Sequence, residues 1–175
     1  MGIRDNMFYL RFEPTEISRL AAQYQYEDGD AVINDTVLRV KRQSYLTHPD
    51  LVALCYWKSA RSHTRCAQNP PDYIEAVTYI ALTTPHERLR IEILTLLFGV
   101  SWPTASVILH WYHRDPYPIL DFRALWSLGI DEAPSYTFEF WWAYTQFCRQ
   151  LAMESKVSMR DLDKALWQYS KMKQS

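Results

Sequence analysis

The sequence predicts an all-α protein. Apolar residues recur at close to 3.6-residue spacing, helix-starting residues stand before these runs, and strand signals are nearly absent. At 175 residues and 20.8 kDa the chain is about one domain's worth of sequence, so a single helical domain over 1–175 is expected, with 1–45 as an N-terminal segment and 46–172 as its core.

Helices are expected near 14–25, 48–61, 71–82, 85–97, 102–113, 121–128, 136–153 and 158–172. Thr84-Pro85-His86-Glu87 reads as a cap, a proline at the first helical position and a glutamate reaching back. Thr47-His48-Pro49-Asp50 and Ser158-Met159-Arg160-Asp161 repeat the pattern with Asp, and Asn69-Pro70-Pro71-Asp72 offers another start. Downstream, Leu89, Ile93, Leu96 and Leu97, and then Leu162, Ala165, Leu166 and Tyr169, form the expected buried stripes. Gly99 and Gly129 fall just past such runs, where a left-handed residue ends a helix. Only Ala31 to Val40 reads as a strand candidate.

Composition removes several function classes. Hydrophobic residues at 48% and charged residues at 22% exclude disorder as the main state. No run approaches the roughly 18–20 apolar residues of a membrane span, and Met1 to Asn6 lack a leader's apolar stretch, so a soluble cytoplasmic protein is expected. Four glycines, at 2, 29, 99 and 129, cannot write a G-x-G-x-x-G or a P-loop motif. Cys55, Cys66 and Cys148 form no tight pattern and fit reduced thiols better than a disulfide framework.

Charge is uneven although the net is −1. Residues 1–38 hold three Lys/Arg against seven Asp/Glu, and 115–140 hold one against five. Residues 39–65 hold six (Arg39, Lys41, Arg42, Lys58, Arg61, Arg65) against Asp50 alone. A polyanion feels charge within a Debye length of about 8 Å, so this stretch is a candidate contact surface as well as an ordinary solvated face.

The sharpest stretch is 94–126. Leu97-Phe98-Gly99-Val100-Ser101-Trp102-Pro103-Thr104-Ala105 reads as a turn between two helices, and Ile119-Leu120-Asp121-Phe122-Arg123 as the start of a third. Val100 can plug the turn while the amides of Ser101, Trp102 and Thr104 form a positive helix end suited to a phosphate. These residues, with the spacing from hairpin to Asp121, resemble the helix-hairpin-helix DNA glycosylase superfamily, whose hairpin reads Leu-Pro-Gly-Val-Gly-x-x-Thr-Ala and is followed by a Val-Asp-Thr-His-Val-type segment. The likeness is densest over 85–128, with the hairpin itself at about 85–113, and extends over 46–172 as a helical domain.

The resemblance implies an orthogonal helical bundle containing a helix-hairpin-helix motif. It also implies DNA repair chemistry on double-stranded DNA, in which a base is flipped out and its bond to the sugar is hydrolysed. Asp121 matches the aspartate that would stabilise the sugar cation and align water. Gly99, Val100, Ser101 and Thr104 match the phosphate-binding hairpin. Lys58 and Arg61 would neutralise phosphates, and Tyr56, Trp57 and Trp102 would line the base pocket.

The sequence departs from the family at three places. Pro103 stands where members with lyase activity carry lysine, so Schiff-base strand cleavage through that position is excluded. Ser101 replaces the second hairpin glycine. The four-cysteine motif is missing, so no iron–sulfur cluster is implied; a monovalent cation at the hairpin remains compatible. Asp121 is equally a favoured helix cap, worth about 0.5–2 kcal/mol by itself. The alternative reading is therefore a non-catalytic module on the same scaffold that binds DNA or a protein partner.

Competing chemistry is weak. His110 and His113 with Asp115, and His63 with Cys66, have a helical spacing but no recognised ligand pattern, so no metal site is expected. Ser106 and the cysteines lack the neighbours of a nucleophile.

Overall fold

The structure, a computed structural model, describes residues 7–25, 27–59, 61, 63–132 and 134–174. Met1 to Asn6, on which the leader reading rests, and Ala60 in the 56–61 motif lie outside them. Among the described residues the architecture is all-α. Its helices are α1 (Ile17–Ala22), α2 (Glu27–Gln43), α3 (His48–Lys58), α4 (His63–Cys66), α5 (Pro71–Thr83), α6 (Glu87–Glu92), α7 (Trp102–Tyr112), α8 (Phe122–Ser127), α9 (Phe138–Ser155) and α10 (Met159–Lys173). Short 3-10 turns cover Pro14–Glu16 and Ile93–Leu96. No helix among them is long and apolar enough to cross a membrane.

The chain forms two compact units. One combines Met1–Gln25 with Pro116–Ser175; the other is Tyr26–Asp115.

In the Tyr26–Asp115 unit, the expected strand at Ala31 to Val40 is instead the middle of α2. The β-branched residues there misled: burial falls on Asp30, Ile33 and Val40, at steps of three and seven, which is one helix face. Asp50 fastens α3 to α2. Its carboxylate accepts from Arg39 at 2.5 Å and from the Thr47 amide at 2.8 Å, the reach-back half of a capping box. Burial alone would raise the Asp50 pKa, but those hydrogen bonds outweigh it and hold the group below the usual carboxylate range.

The start expected at Thr84 lies further on. Thr84 closes α5, its hydroxyl accepts from the His86 amide, and α6 begins at Glu87. The end of α5 is satisfied by a buried cation: Arg90 Nη1 donates to the Ala81 carbonyl at 2.9 Å and Nη2 to that of Thr84 at 2.5 Å. Nη1 also meets the His113 ring at 2.7 Å. Burial, and then the charge of Arg90, push the His113 pKa down to about 4.

The stripe expected at Leu89 and Leu96 is also shifted. Both are exposed, while Ile91, Leu94 and Leu97 are buried. The α-helix ends at Glu92 and tightens to 3-10 geometry, which rotates Leu96 out of the 3.6 phase; Leu89 lies before that change, where the buried face of α6 carries Arg90 and Ile91 instead.

In the other unit, Phe8 meets the rings of Phe140, Tyr144 and Phe147, and α1 lies against α10. The Tyr9 and Arg11 amides donate to the carbonyls of Leu128 and Ser127 at the end of α8. Gly129 closes α8 at φ +88°, and a Cβ there would meet the Tyr9 ring at 2.3 Å, so this position admits only glycine. Ser158 caps α10 as expected, its hydroxyl accepting from the Asp161 amide at 3.0 Å.

Candidate functional site

The hairpin is built by three elements of the Tyr26–Asp115 unit. After the Ile93–Leu96 turn the chain reverses at Phe98 and Gly99, and α7 starts at Trp102. Gly99 has φ +82°, and a Cβ on it would lie 2.8 Å from Arg65 Cβ and 2.9 Å from the Cys66 nitrogen. The turn therefore rests directly on α4, and only glycine permits the approach. Val100 is buried and its amide donates to the Leu97 carbonyl at 3.0 Å, so it plugs the turn as expected.

Ser101 is the exposed N-cap of α7. Its carbonyl accepts from the Ala105 amide at 2.8 Å, so the helix ladder begins there. The amides at the first turn of α7, those of Trp102 and Thr104, have no carbonyl within the helix to bond. Thr104 is buried as a whole residue. Trp102 is partly exposed on the first turn.

A residue expected to start a helix fixes this turn instead. Asn69, buried and seemingly a helix cap, faces Phe98 instead: the Phe98 amide donates to Asn69 Oδ1 at 2.8 Å, and Asn69 Nδ2 donates to the Phe98 carbonyl at 2.9 Å. Pro70 occupies the cap position of α5. Phe98 and Leu96 project outward and are 54% and 62% exposed, large apolar groups placed at the hairpin tip. Arg65, counted in the sequence only as part of a basic stretch, is carried by α4 to the underside of the same turn.

The residues at the end of α3 divide. Tyr56 is 60% exposed and meets the His63 ring edge-on at 5.3 Å. Trp57 is partly buried: its indole Nε1 donates to Asp30 at 3.2 Å, its ring meets Trp111 edge-on at 5.8 Å, and Gly29 passes over it. It anchors α3 to α2 and α7. Lys58 ends α3 partly buried, and Arg61 is exposed beyond it.

The three cysteines do not remain three thiols. Cys55 on α3 and Cys66 on α4 are disulfide-bonded, with Cα atoms 6.7 Å apart, because the short connection brings the two helix ends together. Cys148 is free and buried, which pushes its thiol pKa well up and makes it a poor nucleophile. The other proposed chemistry fares similarly. Cys66 is in the disulfide, His113 is held by Arg90 and the Asp115 amide, and no three His, Cys, Asp or Glu side chains among the described residues converge as a metal site would need. Ser106 is buried with its hydroxyl donating to the Pro103 carbonyl.

Asp121 belongs to the unit formed by the chain ends. It is the N-cap of α8, and Oδ1 accepts from the Arg123 amide at 2.9 Å. The residue is only partly buried, so the carboxylate is oriented without being sealed. Two phenols stand in its field. Burial, then the Asp121 charge, raise the pKa of Tyr136. Tyr144 is raised well above its ordinary value chiefly by complete burial, with its hydroxyl donating to the Ile119 carbonyl at 2.8 Å. Phe122, the next residue, is 57% exposed.

No family model matches the chain, and neither a curated protein nor a solved structure matches it.

Proposed function

We propose that the chain hydrolyses the bond between a modified or mismatched base and its sugar in DNA, without cutting the strand. The observation that carries this reading is Asp121, a partly exposed carboxylate held in a fixed orientation by the Arg123 amide. In such a reaction the C1′–N bond breaks and its electron pair leaves with the base, so positive charge builds on the sugar. A pre-oriented carboxylate lowers the energy of that charge. Water oxygen then bonds to C1′, and its proton passes through the carboxylate to the departed base. Pro103 offers no amine at the hairpin, so no covalent Schiff base forms there and the strand stays intact.

The hairpin supports DNA as the partner. What supports this is the first turn of α7 with its unbonded amides, the strict glycine at Gly99, and Arg65 beneath the turn. Tyr56 and Arg61 are the remaining exposed candidates for contact with a base and a phosphate. Cytoplasmic residence belongs to the same proposal; in that compartment Cys55 and Cys66 would be kept as thiols.

The test is a release assay on duplex oligonucleotides bearing alkylated, oxidised, deaminated and mismatched bases, read before and after alkali. Wild type should release at least one base class, with breaks only after alkali. Asp121→Asn should release none and bind DNA within a few-fold of wild type. The second reading, a non-catalytic module, is favoured by the same Asp121–Arg123 bond, because capping alone explains an aspartate there. It predicts silence across the panel with salt-dependent binding retained.

A further inference from the structure

We propose that the Cys55–Cys66 bridge is a thiol–disulfide switch that sets how the hairpin turn is held, with a dithiol as its reductant. The bridge joins the last turn of α3 to the end of α4, and both residues are fully buried. Cys66 is also the residue on which the hairpin rests. A Cβ on Gly99 would lie 2.9 Å from the Cys66 nitrogen and 3.1 Å from its Sγ, so the turn passes directly over the bridge. The Cys66 carbonyl accepts from Asn69 Nδ2 at 2.9 Å, and the same side chain bonds both backbone groups of Phe98. The bridge, α4, Asn69 and the turn are thus one continuous set of contacts.

What opening the bridge does follows from size. Bonded sulfurs lie about 2.05 Å apart, whereas two thiols must separate to roughly the 3.5–4 Å of a non-bonded contact. The Cys66 sulfur cannot take up that distance toward Gly99, where even a methyl group would be crowded. Nor does α3 yield readily, being eleven residues long and tied to α2 through Asp50 and Arg39. The separation falls on α4, a helix of four residues. Displacing α4 moves the Cys66 carbonyl and nitrogen that support Phe98 and Gly99.

The exchange balances with the dithiol alone. One of its thiolates attacks a bridge sulfur, the S–S bond breaks, and the other cysteine leaves as a thiolate. The second thiolate of the dithiol then displaces the attacked cysteine. The dithiol ends as a disulfide, and its two protons pass to Cys55 and Cys66. Residues 56–65, enclosed by the bridge, hold Lys58, Arg61 and Arg65 and no Asp or Glu, so the segment whose ends the bridge fixes is a cationic one. The oxidised chain, with its turn held, is then the tighter binder of DNA, a step that rests on the hairpin being a DNA contact.

The experiment compares the full chain after diamide and after dithiothreitol, by two-dimensional amide NMR and by fluorescence anisotropy with an undamaged DNA duplex. Between the two forms the amide signals of Phe98, Trp102 and Thr104 should move, while those of α9, in the other unit, stay in place. The Phe98 proton should move upfield on reduction as its bond to Asn69 weakens. Cys55→Ser should show the reduced pattern under both reagents; reduced wild type gives the same comparison should that variant fold poorly. Duplex binding should be about threefold weaker in the reduced form. Coincident Trp102 and Thr104 signals in the two forms overturn the switch, as do three titratable thiols after diamide. Moving signals with equal duplex binding uphold the switch and remove the hairpin from DNA contact.

Discussion

Asn69 and Phe98 are joined by a reciprocal pair of hydrogen bonds, the Phe98 amide to Asn69 Oδ1 and Asn69 Nδ2 to the Phe98 carbonyl. The side-chain amide thus does for the hairpin turn what a neighbouring strand does for an edge. Nδ2 also reaches the Cys66 carbonyl at 2.9 Å, so one buried residue ties the turn to the end of α4. A loop so pinned presents the first amides of α7 in one arrangement, which is the precondition for gripping a phosphate.

Replacing Asn69 with Ala should leave the Phe98 amide and carbonyl without their partner, while the Cys66 carbonyl keeps the backbone amide of residue 69. Unmade bonds of this kind cost about 1–3 kcal/mol, and urea unfolding should show a loss in that range or somewhat above it. Asn69→Asp keeps the acceptor for Phe98 but turns a buried carboxylate oxygen toward two carbonyl oxygens, so it should lose at least as much as Ala at neutral pH. A loss below about 0.5 kcal/mol for Ala would show that the turn is held without Asn69.

Much of the fold was legible because caps and periodicity are local. Ser158, Gly99 and Gly129 do what their positions suggested, and α5, α7, α9 and α10 lie close to their expected ranges. Some misses, the strand at 31–40 and the phase of Leu96, turn on local geometry; others depend on partners distant in sequence. Asn69 looks like a cap until Phe98 lies beside it. Trp57 gives no sign in the sequence of the bond its indole N–H makes to Asp30. The ring contact between Tyr24 and Trp167 spans most of the chain, and no window of residues contains it. Asp121 was visible because its neighbours in sequence, the Ile119-Leu120 run before it and the helix after it, define its position.

The cysteine pairing gives a direct chemical count. Unfolded without reductant, the protein should titrate one thiol, from Cys148; after reduction it should titrate three. The bridge spans a sequence separation of 11, for which the chain-entropy argument gives about 3 kcal/mol. Reduction should therefore lower Tm by about 6–12 °C. Three thiols before reduction would show that Cys55 and Cys66 lie side by side as thiols.

His113 makes stability fall in mild acid. In the folded chain its pKa is about 4, through burial and Arg90, against about 6.5 when unfolded. The unfolded chain therefore takes up the proton first as pH drops. The stabilisation is intact above about pH 6.5 and is lost toward pH 4, by up to about 1.4 kcal/mol per unit. Asp50, whose folded pKa is depressed, contributes its loss only below the ordinary carboxylate value of about 4. Urea midpoints at pH 7.5, 6 and 5 should decline for wild type and much less for His113→Gln. Parallel declines would place the titrating group elsewhere.

Asp121 can be divided into its two roles by choice of substitution. Asparagine caps a helix about as well as aspartate, because its side-chain oxygen also accepts from the amide two residues on. Asp121→Asn should then leave the unfolding midpoint nearly unchanged, while Asp121→Ala should lose about 1 kcal/mol as the Arg123 amide goes unmet. Asparagine keeps the capping oxygen but replaces the charge with an NH2 donor, and a reaction that builds positive charge on the sugar needs that charge far more than the helix end does. Base release that disappears in both variants while stability separates them assigns the carboxylate to chemistry. Release that follows stability, retained in Asn and reduced in Ala, assigns it to the helix end.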